Sequence, residues 1–496
     1  MPTLDEYLEK VIKQGDEGSK LLRAITSPTM KNSEYVEVLE EGMNGMAVLR
    51  VPEDYYVVVH SASGDPEKKD LAEHTASLVD KLVEQSEELG ATPVAFSDIV
   101  DSNTGENDML TTIGETLRDK ANQYKLAIMN GENAVLGSRI NPEIQANVSG
   151  TMISLIKKDD WEKRKKEFSE NELTVPSLFN YENTDYAIFD PKGKPVVINS
   201  DGVGTKTEFY ERIAKYWAAI NDFLAMNLDD TIKSGAIAQA VSGVIEIRGS
   251  ITFSEIERYV KKIGKDIGIL CAMQHEPVGD RLVGYRAAAD SYNISGSVVS
   301  VIDEERLKNP PKPSEGEYLV AIAGDPNPRS NGITDKRKIA RKLFGENYHY
   351  TKLGRLFLEF LAEPSTILYP TFKLLIERGI ATSVYHMSGG AYNGKLAKPL
   401  AKHDLYIKLE NLFNPDWREL AIGGASFTSA ETAYAKWPMG NDGFITTKDP
   451  DAAIKWIKEC GLKAKVVGKL EKAVDGKTGV ELTAFNGQTI YYSGKD

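Results

Sequence analysis

The chain has 496 residues, of which 41% are hydrophobic, 8% aromatic and 27% charged. That is too long for one ordinary domain and implies about three, each with enough apolar chain for a core; a disordered or fibrous chain is excluded. Sixty basic against 73 acidic side chains give a net charge of −13, which disfavours steering towards nucleic acid or acidic membranes. Bound phosphates would therefore be met locally, by backbone N–H groups, a few lysines and a divalent cation. No apolar run reaches the roughly 18 residues of a membrane span, and the start MPTLDEYLEKVIKQGDEGSK does not read as a signal peptide. Two cysteines, Cys271 and Cys460, exclude a disulfide framework and any cysteine-built zinc site, so a reducing, cytoplasmic setting is expected.

In chain order, YYVVVHSA near residue 55 reads as a buried strand feeding a loop. ASLVDKLVEQSEELG follows as a helix with Leu78, Val79, Leu82 and Val83 on one stripe and Gly90 as its stop. GATPVAFSD is a strand read as ending on Asp98, and KLAIMNGE a strand ending at Glu132. Asn147-Val-Ser-Gly-Thr-Met-Ile-Ser-Leu-Ile156 reads as a closing strand. The mixed-sign run KKDDWEKRKKEF at 157–168 is expected to be a solvated helix face and linker.

The closing strand then returns. Asn293-Ile-Ser-Gly-Ser-Val-Val-Ser-Val-Ile302 matches it 146 residues later, with five of ten positions identical. Gly90 and Gly235 lie 145 apart, and Glu132 and Glu276, each after a strand-like run, lie 144 apart. So long a period denotes a duplicated domain, not a solenoid. The expected bodies are 1–158, 159–304 and, after the Pro-rich stretch NPPKPSEGE, 305–496. The last opens with the strand EYLVAIAG and closes with DAAIKWIKECGLKAKVVGKL, read as helix, Gly461 stop and strand, with Cys460 expected in the core.

Several segments carry groups suited to chemistry. Asn199-Ser-Asp-Gly-Val-Gly-Thr-Lys206 follows a strand. Its glycines allow close backbone approach to an anion, Thr205 and Lys206 suit phosphate, and Asp201 suits a hard cation; an ordinary β-turn is the bland alternative. It lacks the GxxxxGK[ST] spacing of a Walker A loop. Met226-Asn-Leu-Asp-Asp230 ends a helical stretch with two carboxylates, read either as a magnesium site or as an N-cap and a surface acid. Glu132, Glu276 and Asp98 stand at strand ends. Pro328-Arg-Ser-Asn-Gly332 and His386-Met-Ser-Gly-Gly390 are small-residue loops, with His386 read as structural or catalytic. HExxH, GxSxG and CxxC patterns do not occur.

Together these segments resemble the AIR synthetase (phosphoribosylformylglycinamidine cyclo-ligase) family, over about Tyr181 to Lys472. NSDGVGTK is similar to its DGVGTK loop and MNLDDTIKSGA to its MxxND…GA helix. SNG at 330–332, HMSGGAYNGKL at 386–396 and WPMGNDG at 437–443 resemble its later segments in the same order. In the first copy HSASGD at 60–65 replaces DGVGTK, while NGENAVLG at 130–137 and GATPVAFSD still resemble the family's GGETAEMPG and GAEPLFFLD. The second copy keeps DGVGTK but shortens the later loop to Gln274–Asp280 and has Gly243 at the acidic position.

The resemblance implies an α/β fold with two tandem N-domains, the first degenerate, pairing as an intrachain pseudo-dimer ahead of one C-terminal α/β domain. It implies ATP-dependent closure of formylglycinamidine ribonucleotide to aminoimidazole ribonucleotide in purine biosynthesis, with ATP and Mg2+ as cofactors and K+ as a further candidate. The implied ATP residues are Asp201, Gly202, Gly204, Thr205, Lys206, Asp229 and Asp230. On the substrate side stand Asp98, Asn331, His386, Ser388, Gly389 and Gly390. Lys206, Asp201 and Glu132 are the implied catalytic groups, and Asp201, Asp230 and Glu276 the implied metal ligands. The expected partner is a small-molecule nucleotide, with a further homodimer possible and neither nucleic acid nor membrane involved. The alternatives are another phosphoryl-transfer enzyme of the superfamily or a non-catalytic nucleotide-binding regulatory relative. Selenophosphate synthetase is disfavoured because no Cys-Lys pair precedes the DGVGTK-like loop.

Overall fold

The computed structural model describes residues 17–495 apart from 41–42, 44–45, 171–184, 286–289, 331, 424–427 and 474–475. The fold is mixed α/β, in two compact units: Met1–Glu211 with Ala236–Asn309, and Arg212–Gly235 with Pro310–Asp496. The stretch Arg212–Gly235, inside what the sequence reads as the second copy, thus belongs to the second unit.

The first unit holds two sheets built from β1 (Val36–Val38), β2 (Ala47–Leu49), β3 (Tyr55–Ser63), β4 (Thr92–Ser102), β5 (Ala127–Val135), β6 (Ala146–Lys157), β7 (Ala187–Phe189), β8 (Val196–Gly202), β9 (Ile237–Arg248), β10 (Leu270–Pro277) and β11 (Ser291–Val301). Their orders are β5-β4-β6-β3-β7 and β1-β2-β8-β11-β9-β10. Read from the far end, the second repeats the first: β10, β9, β11 and β8 take the places of β5, β4, β6 and β3. In each sheet the first pairing is parallel and the next two antiparallel. The edge strands are exchanged. β2 precedes β3 in the chain but pairs with β8, and β7 precedes β8 but pairs with β3.

Alternation explains what each face does. In β6 the even positions Ala146, Val148 and Met152 pack with Leu78, Leu82, Ile113 and Leu117, which come from helices Leu71–Glu88 and Asn107–Tyr124. Helix Leu71–Glu88 starts where Asp70 accepts a hydrogen bond from the Glu73 N–H at 3.0 Å and is followed by Gly90 at φ +80°. The odd positions Ile153 and Leu155 join Val57 and Val59 against Ala240, Leu270, Ala272 and Val299 of the other sheet, forming one apolar layer between the repeats. Burying each such aliphatic side chain contributes roughly 1.5–3 kcal/mol.

The polar contacts across that layer obey a local two-fold relation. The sheet registers make Ser61 equivalent to Ser200 and Ser97 equivalent to Ser242. The Ser61 hydroxyl meets that of Ser242 at 2.8 Å, and Ser97 meets Ser200. Ser149 meets its own equivalent, Ser295, at 3.0 Å. Ile140 bridges Leu282, Asn141 N–H donates to Arg281 O at 3.1 Å, and Val283 N–H donates to Arg139 O at 2.8 Å. When residue i touches the equivalent of j and j touches the equivalent of i, the interface is isologous.

The second unit contains two further sheets, formed by β12 (Tyr318–Ala323), β13 (Ser383–His386), β14 (Leu405–Leu409), β15 (Gly443–Thr447), β16 (Lys463–Lys469), β17 (Glu471–Lys472), β18 (Gly479–Thr483) and β19 (Thr489–Tyr492). They are ordered β13-β15-β12-β16 and β17-β14-β18-β19. The closing segment folds as read: helix Pro450–Glu459, Gly461 at φ +79°, then β16. Cys460 corrects the expectation. It shares the helical spacing of the buried Ala453 and Ile457 but stands past the last helical residue, Glu459, as the C-cap with non-helical ψ of 6°, and is exposed.

Candidate functional site

The first unit encloses a cavity of about 750 Å3. β4 and β5 supply Asp98, Asn130 and Glu132, while β8 supplies Ile198 and Asn199, so both repeats line one space. Lys20 and Arg23 come from the helix over residues 17–26. Asp98 does not end its strand as the sequence suggested; β4 runs on to Ser102, and Asp98 lies within it at 3% exposure. Burial raises its carboxyl to about 7, close to the pH at which acid–base chemistry is efficient. Glu132 is likewise inside β5, half-buried.

Gly131 lies beneath the Asp98 carboxyl group. A Cβ there would stand 2.6 Å from Asp98 Oδ1 and 2.8 Å from Oδ2. Gly131→Ala is accordingly expected to displace that carboxyl and destabilise the unit by about 1–3 kcal/mol. A urea titration against the wild type measures the cost.

The DGVGTK-like loop leaves β8 in the same unit. Asp201, Gly202, Gly204 and Thr205 are half-buried and reachable, and Asp201 Oδ1 accepts the Gly202 N–H at 2.7 Å. Gly204 adopts φ +63°, a backbone conformation side chains disfavour. This donor set fits an anion accompanied by a hard cation. Lys206 departs from the expectation: it is fully buried, its ammonium 5.6 Å from the Tyr210 ring centroid, so contact with a phosphate requires the turn to open. Glu276, inside β10, binds Lys81 at 2.6 Å.

The second unit gathers the remaining motifs. Asp229 and Asp230 end helix Ala219–Thr231, but neither is the N-cap or surface acid that the bland reading supplied. Asp229 is fully buried, bound by Arg329 at 2.9 Å and accepting the Leu368 and Tyr369 N–H groups at 2.9 and 2.7 Å. It therefore anchors the start of helix Tyr369–Glu377. His386 ends β13, and its Nε2 lies 2.7 Å from Asp230 and 3.2 Å from Ser388 Oγ. Burial lowers His386 to about 3, so the ring is neutral, donates from Nε2 to Asp230, and turns Nδ1 to Arg329 at 3.5 Å.

Burial alone would push Asp230 up, but Lys233, His386 and Lys395 outweigh it and hold the carboxylate well below its usual range. Lys395 stands 3.4 Å away and Lys233 is in contact. Asp230 is thus engaged by cations in this structure. Gly389 is exposed and Gly390 sits at φ +84°, followed by Ala391 at φ +37°, a strained position for a side chain. Asn331 lies outside the described residues.

The structure therefore brings Asp98, Glu132 and Asn199 together in one unit, and Asp229, Asp230, His386 and Ser388 in the other. Among the described residues no group of three or more His, Cys, Asp or Glu side chains has the arrangement of a metal site. Sequence reasoning missed Lys20, Arg23, Lys233, Arg329 and Lys395. Of these, Lys233, Arg329 and Lys395 stood inside motifs singled out beforehand but were given no role there, whereas Lys20 and Arg23 stood in none.

Comparison with known proteins bears on the first repeat. Residues 44–154 match the model of the AIR synthase related protein, N-terminal domain. Over those residues the chain is similar to an AIR-synthase-related N-terminal domain. These residues include HSASGD at 60–65, which lacks the DGVGTK signature.

The phosphoribosylformylglycinamidine cyclo-ligase of Pyrococcus horikoshii is 26% identical over 226 residues, which is 45% of this chain and 64% of that enzyme. The chain thus spans less than two thirds of that relative. The cyclo-ligase of Thermoplasma volcanium is 23% identical over 59% of this chain and 84% of its own length. Hydrogenase maturation protein HypE in complex with ATP aligns over 61% of this chain and 85% of its own, at 14% identity and a TM-score of 0.40. No helix among the described residues is long and apolar enough to cross a membrane.

Proposed function

We propose that this protein is an ATP-dependent cyclo-ligase that closes the imidazole ring of formylglycinamidine ribonucleotide, giving aminoimidazole ribonucleotide, ADP and phosphate. The observation that carries the reading is the shared cavity: Asp98 and Glu132 of the first repeat face the same space as Asn199, which opens the DGVGTK-like loop of the second. The two repeats would then form one working site as an intrachain counterpart of paired family N-domains, with Asp201, Gly202, Gly204 and Thr205 holding the nucleotide.

ATP, when bound, supplies the phosphoryl group that makes the formamide oxygen a leaving group. The amidine nitrogen attacks the activated carbon, the C–O bond breaks and phosphate departs. The protein's share is positioning and charge. Asp98, titrating near neutrality, accepts a hydrogen bond from the amidine N–H and can take its proton as the ring closes. Glu132 fixes the substrate from the neighbouring strand. Asp201 would hold a Mg2+, which would supply positive charge to the phosphoryl group.

Purified protein supplied with formylglycinamidine ribonucleotide, Mg-ATP and potassium should form the imidazole and ADP in equal amounts. Asp98→Asn and Glu132→Gln should each lower turnover by about 100-fold or more without lowering the melting temperature. Intact turnover in both variants removes the shared site. ADP without the imidazole indicates another phosphoryl acceptor, and nucleotide binding without turnover indicates a regulatory relative.

A further inference from the structure

The cavity of the first unit is lined by charges of both signs, Asp98 and Glu132 from the strands and Lys20 and Arg23 from the helix. Asp98 lies at the floor, buried against Gly131. Lys20 and Arg23 are both exposed, one turn apart on the helix over residues 17–26, and so stand on the same face of that helix at the rim. Met43 and Met46 line the space as well, a soft apolar surface that adapts to a ring or a sugar face. About 750 Å3 is ample for one small molecule.

We infer that Lys20 and Arg23 form the phosphate-binding rim of this cavity and orient a phosphorylated glycosyl ligand with its anionic end outward and its nitrogen-bearing end towards Asp98. The identity of the reacting ligand rests on the cyclo-ligase reading; the phosphate rim does not. A phosphate dianion is costly to dehydrate, so a cationic rim in contact with water suits it better than the cavity floor, where Asp98 would repel it. Lysine meets the phosphate as a mobile point charge and arginine as a planar fork, giving charge-assisted hydrogen bonds from two directions. A nitrogen base gains most at the other end, where a buried carboxyl is present to receive it. The rim therefore selects for the phosphate and fixes which end of the ligand enters first.

The test uses the full chain with ribose 5-phosphate and ribose as probes, followed by titration calorimetry. The wild type should bind ribose 5-phosphate, bind ribose far more weakly, and lose affinity as salt rises. The Lys20→Ala/Arg23→Ala variant should lose about ten- to hundredfold in ribose 5-phosphate affinity, and Lys20→Ala alone, whose side chain is exposed, should lose part of it at the wild-type melting temperature. Lys20→Glu should lose more than Lys20→Ala.

Equal binding of the two probes, no binding of ribose 5-phosphate, or unchanged affinity in the double variant overturns the inference. Rim-dependent phosphate binding without ring closure leaves the inference standing and removes the cyclo-ligase reading. Ring closure with an unchanged KM in the double variant does the reverse. A raised KM with little change in kcat identifies positioning groups, as expected.

Discussion

Glu211→Ala is expected to destabilise the first unit by about 3–5 kcal/mol, the usual cost of leaving one partner of a buried ion pair uncompensated. Arg139 and Glu211 are both almost wholly buried and meet as a fork, Nη1 to Oε2 at 2.7 Å and Nη2 to Oε1 at 2.6 Å. Arg139 also donates to Thr207 Oγ1 and Tyr292 O, each at 3.0 Å. Glu211 Oε1 in turn accepts the Tyr292 N–H at 3.0 Å and the Ser291 hydroxyl at 3.2 Å. The pair therefore fastens the loop after β5 of one repeat to the start of β11 of the other, and its loss should open the two sheets where they meet.

The equivalent arginine shows what the carboxylate contributes. Arg281 donates to Ala146 O at 3.0 Å, as Arg139 does to Tyr292 O, but among the described residues its other hydrogen bond goes to the Lys68 carbonyl and not to a carboxylate, and burial lowers it to about 10. Arg281→Met should thus cost less than Arg139→Met, which strands Glu211. Hydrogen exchange across Ser291–Val301 in the variants measures both effects. Unchanged protection in Glu211→Ala would show that the fork is dispensable.

The repeat was legible because its strands are long and buried on both faces, so sequence similarity survived at small and apolar positions. Asn147 and Asn293, Ser149 and Ser295 were matched as letters; the structure shows the two serines in contact at the local two-fold. The exchanged strands β2 and β7 were not legible. Three residues each, AVL and AIF show no period, and their partners lie well over a hundred residues away in sequence, Leu49 opposite Val196 and Ile188 opposite Val58.

The acids, glycines and hydroxyls of the motifs were found; the cations Lys233, Arg329 and Lys395, which lie inside the same motifs but act through tertiary packing, were not. DGVGTK and HMSGG announce themselves through glycines, but that Lys395, in the same HMSGGAYNGKL segment, reaches Asp230 across 165 residues follows from no spacing rule. Asp229 illustrates the opposite failure. A carboxylate at a helix end usually caps or faces water, and only the fold reveals that Arg329 and two backbone N–H groups hold it fully buried.

The second large effect lies where two acids meet between the repeats. Asp101 and Glu246 occupy equivalent positions, and both are buried. Asn293 Nδ2 donates to Asp101 Oδ2 at 2.6 Å and Glu246 Oε2 at 3.1 Å, while Glu246 Oε1 accepts from Asn147 and Ser63, each at 2.5 Å. Arg281, Glu276 and Asp201 are the other charges that act on the pair. Burial, with Glu246 beside it, raises Asp101 to about 8. The folded chain then keeps a proton that the unfolded chain has released above about pH 4.

Stability should consequently be greatest below the unfolded value and fall as pH rises towards 8, with a slope approaching ~1.4 kcal/mol per unit for one proton. Buried His60 and His74, both lowered to about 4, act with the opposite sign between about pH 4 and 6.5, so the contribution has to be read as a difference between variants. Asp101→Asn cannot ionise, yet its carbonyl still accepts from Asn293. Urea titrations of this variant and the wild type from pH 5 to 8.5 should diverge steadily, with the variant gaining in relative stability as pH rises. Parallel curves would mean that Asp101 is already ionised in the folded chain and that the two carboxylates share no proton.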